Sequence, residues 1–330
     1  MAAVHSAPVD RAPVIAQVFG HAARLAGMPL RRYLTSGAAL AAAQLQALER
    51  YDDDAVFALM DVCVETEAAG SVLAYAEENY PHVASFVLSS PEDLAGLSVP
   101  DPRRAGRMPE LLAAAGILRR EVGHRVAVVG CVLGPMTLTT QLLGMEKALY
   151  LAVDHLEAFE RVLDFATEIV SRFGAAQVEA GAHLPIVFEP SGSPAVVPPQ
   201  FFREILAPRL TRLFAGLKKA GAVCNWLHIA GPTAPILPLY PGLGVDIANF
   251  DYEVDPQAAQ KALPQTCLDG NLKSLSFVHG SPAEIEQRSR ELLELFRPRR
   301  GFILSSGCEI PPESRPENVA AMVAAARSQG

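Results

Sequence analysis

Short apolar runs alternate with stretches of helical spacing through the second half of the chain. HLPIVFEP (183–190) is an apolar run ending in an acid. PPQFFREILAPRLTRLFAGLKKAG (198–221) follows it with a proline-rich start, apolar residues three and four apart, and a glycine end, which predicts a strand and then a helix. AVCNWLHIAG (222–231) and VDIANFD (245–251) are the next strand candidates. DPQAAQKAL (255–263), TCLDGN (266–271), SPAEIEQRSRELLELF (281–296), GFILSSG (301–307) and a last helix from Pro316 continue the series. Five strand–helix alternations in a row predict βαβ units on a parallel sheet.

The first half is less regular, but AVFALMDV (55–62), HVASFVL (82–88) and HRVAVVGCV (124–132) supply three more strand candidates. Eight parallel strands with helices between them make a (β/α)8 TIM barrel, and the chain length suits one. A doubly wound α/β sheet shows the same alternation, although no G-x-G-x-x-G follows an early strand. Residues before about Asp52, including the amphipathic SGAALAAAQLQALERY (36–51), read as extra N-terminal helices. With no linker, low-complexity segment or repeat to divide it, the chain is expected to form one barrel domain over residues 1–330, with 1–52 as a helical layer or lid.

Composition changes this picture only by exclusion. Of 330 residues, 50% are hydrophobic and 19% charged, unlike a disordered chain. The formal charge is −8, and no run of Lys or Arg exceeds two, so the chain lacks the basic footprint that nucleic acid or anionic lipid requires of a partner. No apolar stretch approaches the roughly 20 residues of a membrane span. MAAVHSAPVDRAP has no basic segment leading into an apolar one, which points to a cytoplasmic protein. Five scattered cysteines, at positions 63, 131, 224, 267 and 308, do not suggest a disulfide framework.

Chemistry in such barrels collects where strands hand over to the following loops. The polar residues at those places are Asp61 with Glu65 and Glu67, the GPMTLTTQ turn (134–141) with Gly134 and Thr137, Glu189, His228, Asn249 and Asp251, Asp269-Gly-Asn271, and Cys308 with Glu309. An acid at a strand end is also a common helix N-cap, and a lone His after an apolar run is ordinarily a core residue. Closure of a barrel would bring the strands of His228 and Cys308 to the same side of the ring, where the two could meet on one metal. Zinc wants at least three protein ligands. Ala230 stands where a second thiolate would be natural, and Cys224 lies roughly 13 Å back along an extended strand.

Several segments together resemble the uroporphyrinogen decarboxylase superfamily, and within it the corrinoid-dependent methyltransferases. They are ALERYDDDAVFALMDVCVETEAAGS (47–71), GCVLGPMTLTTQLLG (130–144), VFEPSGSP (187–194), LHIAGPT (227–233), LDGNLKS (268–274) and FILSSGCEIPPESRPENV (302–319). The resemblance implies a (β/α)8 barrel with its active site at the C-terminal mouth. The decarboxylase branch carries an Arg-rich segment of the form M-R-Q-A-G-R, which QVFGHAARLAGMPLRRY (17–33) lacks. The thiol methyltransferases bind zinc through His-x-Cys and a distant Cys. His228 and Cys308 match two of these ligands and Ala230 departs from the third, so zinc is not expected; if present, it would sit on His228 and Cys308.

A third branch passes the methyl group to tetrahydrofolate, whose pterin edge suits acids and amides. The leading expectation is therefore methyl exchange between methylcobalamin or a separate corrinoid protein and tetrahydrofolate. Glu189, Asp61 and His228 would be the catalytic groups, and Asn249, Asp251, Asn271, Gly134, Thr137 and Glu309 the cofactor-binding ones. A zinc-dependent transfer to a thiol and a non-catalytic corrinoid or tetrapyrrole binder are the alternatives. Oligomeric state is left open.

Overall fold

The computed structural model describes residues 2–4, 7, 9–297 and 301–328. Its strands are β1 (Val14–Ile15), β2 (Ala55–Ala58), β3 (Val72–Ala74), β4 (His82–Ser85), β5 (Ala127–Leu133), β6 (Leu184–Phe188), β7 (Trp226–His228), β8 (Ile247–Asn249), β9 (Cys267–Leu272) and β10 (Phe302–Ser306). Eight of them form one sheet in the order β1-β10-β9-β8-β7-β6-β5-β2, with every neighbouring pair parallel. Helices fill the connections, as in the helix Leu156–Ala180 between β5 and β6 and the helix Pro282–Phe296 between β9 and β10. The fold is a TIM-like (β/α)8 barrel with additional helices, among them Gly20–Leu25 and Gly37–Tyr51.

The strands are buried on both faces, which is why they read as unbroken apolar runs such as AVVGCVL in β5. Inward residues including Phe57, Val129, Ile186, Trp226, Ile247 and Ile303 pack the lumen. Residues on the other face, such as Val128, Val132 and Leu304, join the larger core beneath the helices. No helix among the described residues is long and apolar enough to cross a membrane.

The expected eight strands are present, but one member of the set is different. Residues 82–88 do not enter the barrel: β4 pairs antiparallel with β3 as a separate hairpin after β2. Its side chains are largely exposed, including Val72 and Phe86, so the apolar content of HVASFVL reflects a hairpin face rather than a core strand. The strand that completes the ring is β1, whose two residues are too few to show a period.

The ring closes between β1 and β2 through carboxylates as well as backbone. The Asp54 amide donates to the Val14 carbonyl at 3.0 Å, while the Val14 amide donates to Asp54 Oδ2 at 2.8 Å. The Ala16 amide donates to Asp53 Oδ2 at 3.0 Å. Arg11 holds Asp54 from outside with bonds of 2.7 and 2.9 Å. Asp53 is buried, and burial pushes its pKa up to about 8 despite the hydrogen bond from Ala16.

This gives a pH test. Folded Asp53 keeps its proton up to about pH 8, whereas the unfolded chain releases it near about pH 4. Between those values the folded state binds more protons, so stability falls as pH rises through the window. Asp53→Asn keeps an acceptor for Ala16 and removes the titration. Its unfolding free energy in urea should therefore fall by about 1–3 kcal/mol less than the parent's between pH 5 and pH 7.5. Equal pH slopes for the two proteins would show that Asp53 is already ionised in the native state.

Candidate active site at the barrel mouth

After β2 the chain places Asp61 at the rim, where it meets a residue that the sequence pattern does not single out. Arg107, just before the helix Met108–Val122, sends its guanidinium inward. Nη1 and Nη2 donate to the two Asp61 oxygens at 2.5 and 3.2 Å, Nε donates to Glu67 at 2.7 Å, and Nη1 also donates to the Leu34 carbonyl at 2.9 Å. The Tyr75 ring covers the guanidinium at 5.4 Å. Asp61 additionally accepts from the Cys63 amide at 2.8 Å. One buried cation thus joins the end of β2, the short helix Val64–Ala68 and the β3–β4 hairpin.

Glu189 follows β6 and is fully buried. Its carboxylate accepts from the Met136 and Thr137 amides at 2.8 and 2.7 Å and from Thr137 Oγ1 at 2.5 Å, covering the first turn of the helix Pro135–Leu143. Unpaired amides and a positive dipole end make that place favourable for an anion. Burial nevertheless raises its pKa to about 7, with the three donors pulling the other way. Gly134 leaves room for this carboxylate, since a Cβ there would lie 2.3 Å from it. Gly134, Thr137 and Glu189 are brought together, then, as a helix cap. Glu65 plays a similar part, accepting from the Leu133 amide at 2.8 Å, with its pKa raised by burial to about 7.

His228, Asn249 and Asp269 lie side by side at the top of the lumen. His228 is buried against the Phe188 ring, 4.6 Å between centroids, and burial lowers its pKa to about 3, so the ring is neutral. Neither ring nitrogen has a hydrogen-bond partner. Asn249 Nδ2 donates to Asp269 Oδ2 at 3.0 Å. Asp269 is fully buried, which raises its pKa to about 7 against the influence of Asn249, Ser305 and Trp226. Gln17 completes this layer by donating to Ser305 Oγ and the Ser306 carbonyl at 3.3 Å.

Asp251 and Asn271 sit one step higher and serve the loop after β8. Asp251 accepts from the Glu253 amide at 3.0 Å, and Asn271 Nδ2 donates to the Asp251 and Val254 carbonyls at 3.1 and 3.0 Å. Glu309, after β10, accepts from the Tyr80 hydroxyl, which in turn accepts from the Gly20 amide at 2.7 Å. Surrounding protein raises the Glu309 pKa to about 7, although the residue is partly open to solvent. Tyr80, Gly20 and Pro312 line a cleft of about 760 Å³ with Arg24, Glu77, Glu78 and Glu313.

Cys308 is half-buried, and burial pushes its thiol up to about 11. The unengaged nitrogens of His228 suit a metal, but Ala230 offers no donor. Among the described residues no three His, Cys, Asp or Glu side chains gather closely enough to hold an ion. A three-ligand zinc site does not fit the residues present.

The sequence profile of the family described as "Uroporphyrinogen decarboxylase (URO-D)" matches residues 1–329. A methylcobamide:CoM methyltransferase from Methanosarcina barkeri is 30% identical over 240 residues, covering 71% of this chain and 68% of that protein. A uroporphyrinogen decarboxylase from Thioalkalivibrio sulfidiphilus is 27% identical over 301 residues, covering 84% and 80%. A solved structure titled "methyltransferase from Methanosarcina mazei" superposes with a TM-score of 0.90 at 28% identity over 99% of this chain and 96% of that one.

A tetrahydrofolate acceptor finds no support in the geometry or in these likenesses. Asp61, Glu189 and the Asn271 amide nitrogen, nominated to serve a pterin, are engaged within the protein. The methyltransferase named above carries CoM in its name, not folate.

Two variants test this framework role by urea unfolding. Arg107→Met leaves Asp61 buried without its cation and should cost about 3–5 kcal/mol. Glu189→Gln turns an amide NH₂ toward backbone donors and should cost about 1–3 kcal/mol. A change below about 0.5 kcal/mol in either would show that the carboxylate is not part of the framework.

Proposed function

This chain belongs to the uroporphyrinogen decarboxylase family, and we propose that it is a corrinoid-dependent methyltransferase that passes the methyl group to a thiol. The observation that sets this reading apart from decarboxylation is the charge of the mouth. Its cleft is lined by Glu77, Glu78 and Glu313 with Arg24, Arg31 pairs with Glu77 at 3.4 Å, and Arg107 is held by Asp61 and Glu67, so these guanidinium groups are matched or outnumbered by acids. A substrate with several carboxylates would meet repulsion there. The methyltransferases named above support the transfer chemistry, and the name of one of them supports the thiol.

A methylated corrinoid, presented by a separate corrinoid protein, supplies an electrophilic methyl carbon. The thiol sulfur would bond to that carbon as the cobalt–carbon pair remained with the corrinoid, the thiol having given its proton to solvent before the site closed over it. Val62, Tyr252 and Leu275 are exposed apolar side chains on the loops after β2, β8 and β9. They offer a surface for the apolar face of a flat macrocycle. Arg107 fixes the hairpin and rim around it, and the packed lumen below excludes water. His228 supplies a neutral nitrogen at the floor. Much of the acceleration comes from holding sulfur and methyl carbon in line.

A second reading, a barrel that binds a corrinoid or tetrapyrrole without turnover, is favoured by Ala230, which departs from the ligand pattern of the thiol methyltransferases. Both readings are tested by mixing the protein with methylcobalamin and 2-mercaptoethanesulfonate, following the cobalamin absorption change and identifying the thioether by mass spectrometry. The expected result is protein-dependent methylation of the thiol, no methylation of tetrahydrofolate, and a loss of about tenfold or more in His228→Ala. Binding without demethylation would establish the second reading.

Metal analysis accompanies this test. Ala230→Cys should acquire stoichiometric zinc that the parent lacks. Stoichiometric zinc already in the parent would overturn the reading of Ala230 as a lapsed ligand position.

A further inference from the structure

Both ring nitrogens of His228, Asn249 Oδ1 and Gln17 Oε1 are closed to solvent and have no hydrogen-bond partner, while Asn249, Ser305 and Trp226 serve the Asp269 carboxyl beside them. Buried polar atoms are nearly always paired, so their grouping in one layer of the lumen calls for a cause. Strand register connects three of these residues. β7 and β8 pair Trp226 with Ile247 and Leu227 with Ala248, so the next step sets His228 beside Asn249. β8 and β9 pair Asn249 with Asp269. Trp226 and Ile247 point into the lumen, and period-2 alternation turns His228 and Asn249 the same way.

The Asn249 amide is therefore held from one side. Its nitrogen donates to Asp269 Oδ2 at 3.0 Å, on the β9 side. Once Asp269 has lost its proton, above about pH 7, reversing the amide would place its oxygen against a carboxylate oxygen, acceptor to acceptor. Fixed in this sense, the amide offers Oδ1 on its other side, toward β7 and His228. A neutral imidazole carries one N–H and one lone pair, and which nitrogen holds the proton follows from what its neighbour accepts.

We infer that Asp269, acting through Asn249, fixes the tautomer of His228: the ring nitrogen facing Asn249 Oδ1 carries the proton, and the other nitrogen keeps its lone pair. Asn249 and Asp269 are positioning residues in this arrangement. The arrangement pairs two groups left without partners, the His228 ring and Asn249 Oδ1, which strand register sets side by side. The inference rests on the proposed function only in treating His228 as a working group. Its test reads the ring itself, so it stands or falls separately from methyl transfer.

The experiment is long-range ¹H–¹⁵N correlation NMR at pH 8.5 on full-length protein labelled with ¹⁵N-histidine, which distinguishes Nδ1–H from Nε2–H. The His228→Gln variant assigns the signals by their loss. The parent should show His228 in one tautomer, with its two ring nitrogens widely separated in shift. In Asp269→Asn, which keeps the shape of the site but lets the Asn249 amide sit either way, the two shifts should move toward each other as both tautomers populate. Asn249→Leu, which removes the acceptor, should do the same. Circular dichroism confirms that each variant is folded, and the near-isosteric Asp269→Asn keeps the test available should Asn249→Leu unfold. A parent already in mixed tautomers would overturn the inference, as would a folded Asp269→Asn variant with the parent's shifts unchanged.

Discussion

Closure of the ring between a two-residue strand and β2 is the constraint on which the mouth depends. β1 is too short to supply a full ladder, and Asp53 and Asp54 make up the shortfall by accepting from the Ala16 and Val14 amides. An unpaired buried amide costs about as much as a lost hydrogen bond, so these carboxylates complete the β1 edge as ladder carbonyls would. Once β1 is held beside β2, the loops after β1, β2 and β10 must converge. Gly20, Tyr80 and Glu309 come from those three loops and meet in one chain of hydrogen bonds beside the cleft. The cleft exists because the seam is closed.

The same need to satisfy buried polar groups shapes the rest of the rim. Glu189, Glu65 and Asp61 stand at or just beyond strand ends, and each is turned toward backbone amides or a guanidinium within the protein. Burial raises the pKa of Glu189 and Glu65 to about 7 while their donors oppose it. Acids of this kind serve two ends at once. They cap helices and pin loops, and they leave the mouth with few cations. The lumen layer beneath is different, because Asn249 and His228 keep unpaired atoms in a site from which water is excluded.

Much of the fold is legible in the sequence because parallel strands buried on both faces appear as apolar runs, and the helices between them carry capping chemistry such as Ser281 with Glu284. β1 is hidden because two residues have no period, and residues 82–88 mislead because an exposed hairpin carries the same β-branched and aromatic residues as a core strand. The strand-end rule finds Asp61, Glu189, His228, Asn249, Asp251, Asn271 and Glu309, but it does not say which way each side chain turns. Arg107 is one of several arginines in DPRRAGRM (101–108) and has no local signature, because its importance comes from Asp61, 46 residues away. Gln17 is invisible for a related reason: its inward position follows from β1, and β1 itself is concealed.

Relatives named as decarboxylases and as methyltransferases match this chain at similar identity, so the shared barrel does not choose between the two chemistries. Charge does. Releasing carbon dioxide from a substrate with several carboxylates requires a mouth that attracts anions and holds each with a cation. Here the buried guanidinium of Arg107 is consumed by two acids, Arg31 pairs with Glu77, and Arg24 shares the cleft with Glu78 and Glu313. Moving a methyl group as a cation equivalent from cobalt to sulfur demands no cluster of cations to hold a polyanionic substrate. What it demands is alignment on a desolvated floor, and the tightly packed lumen beneath the exposed Val62, Tyr252 and Leu275 suits that. The departure at Ala230 removes a ligand without adding a cation, so it weakens the case for zinc while leaving the electrostatic argument for methyl transfer intact.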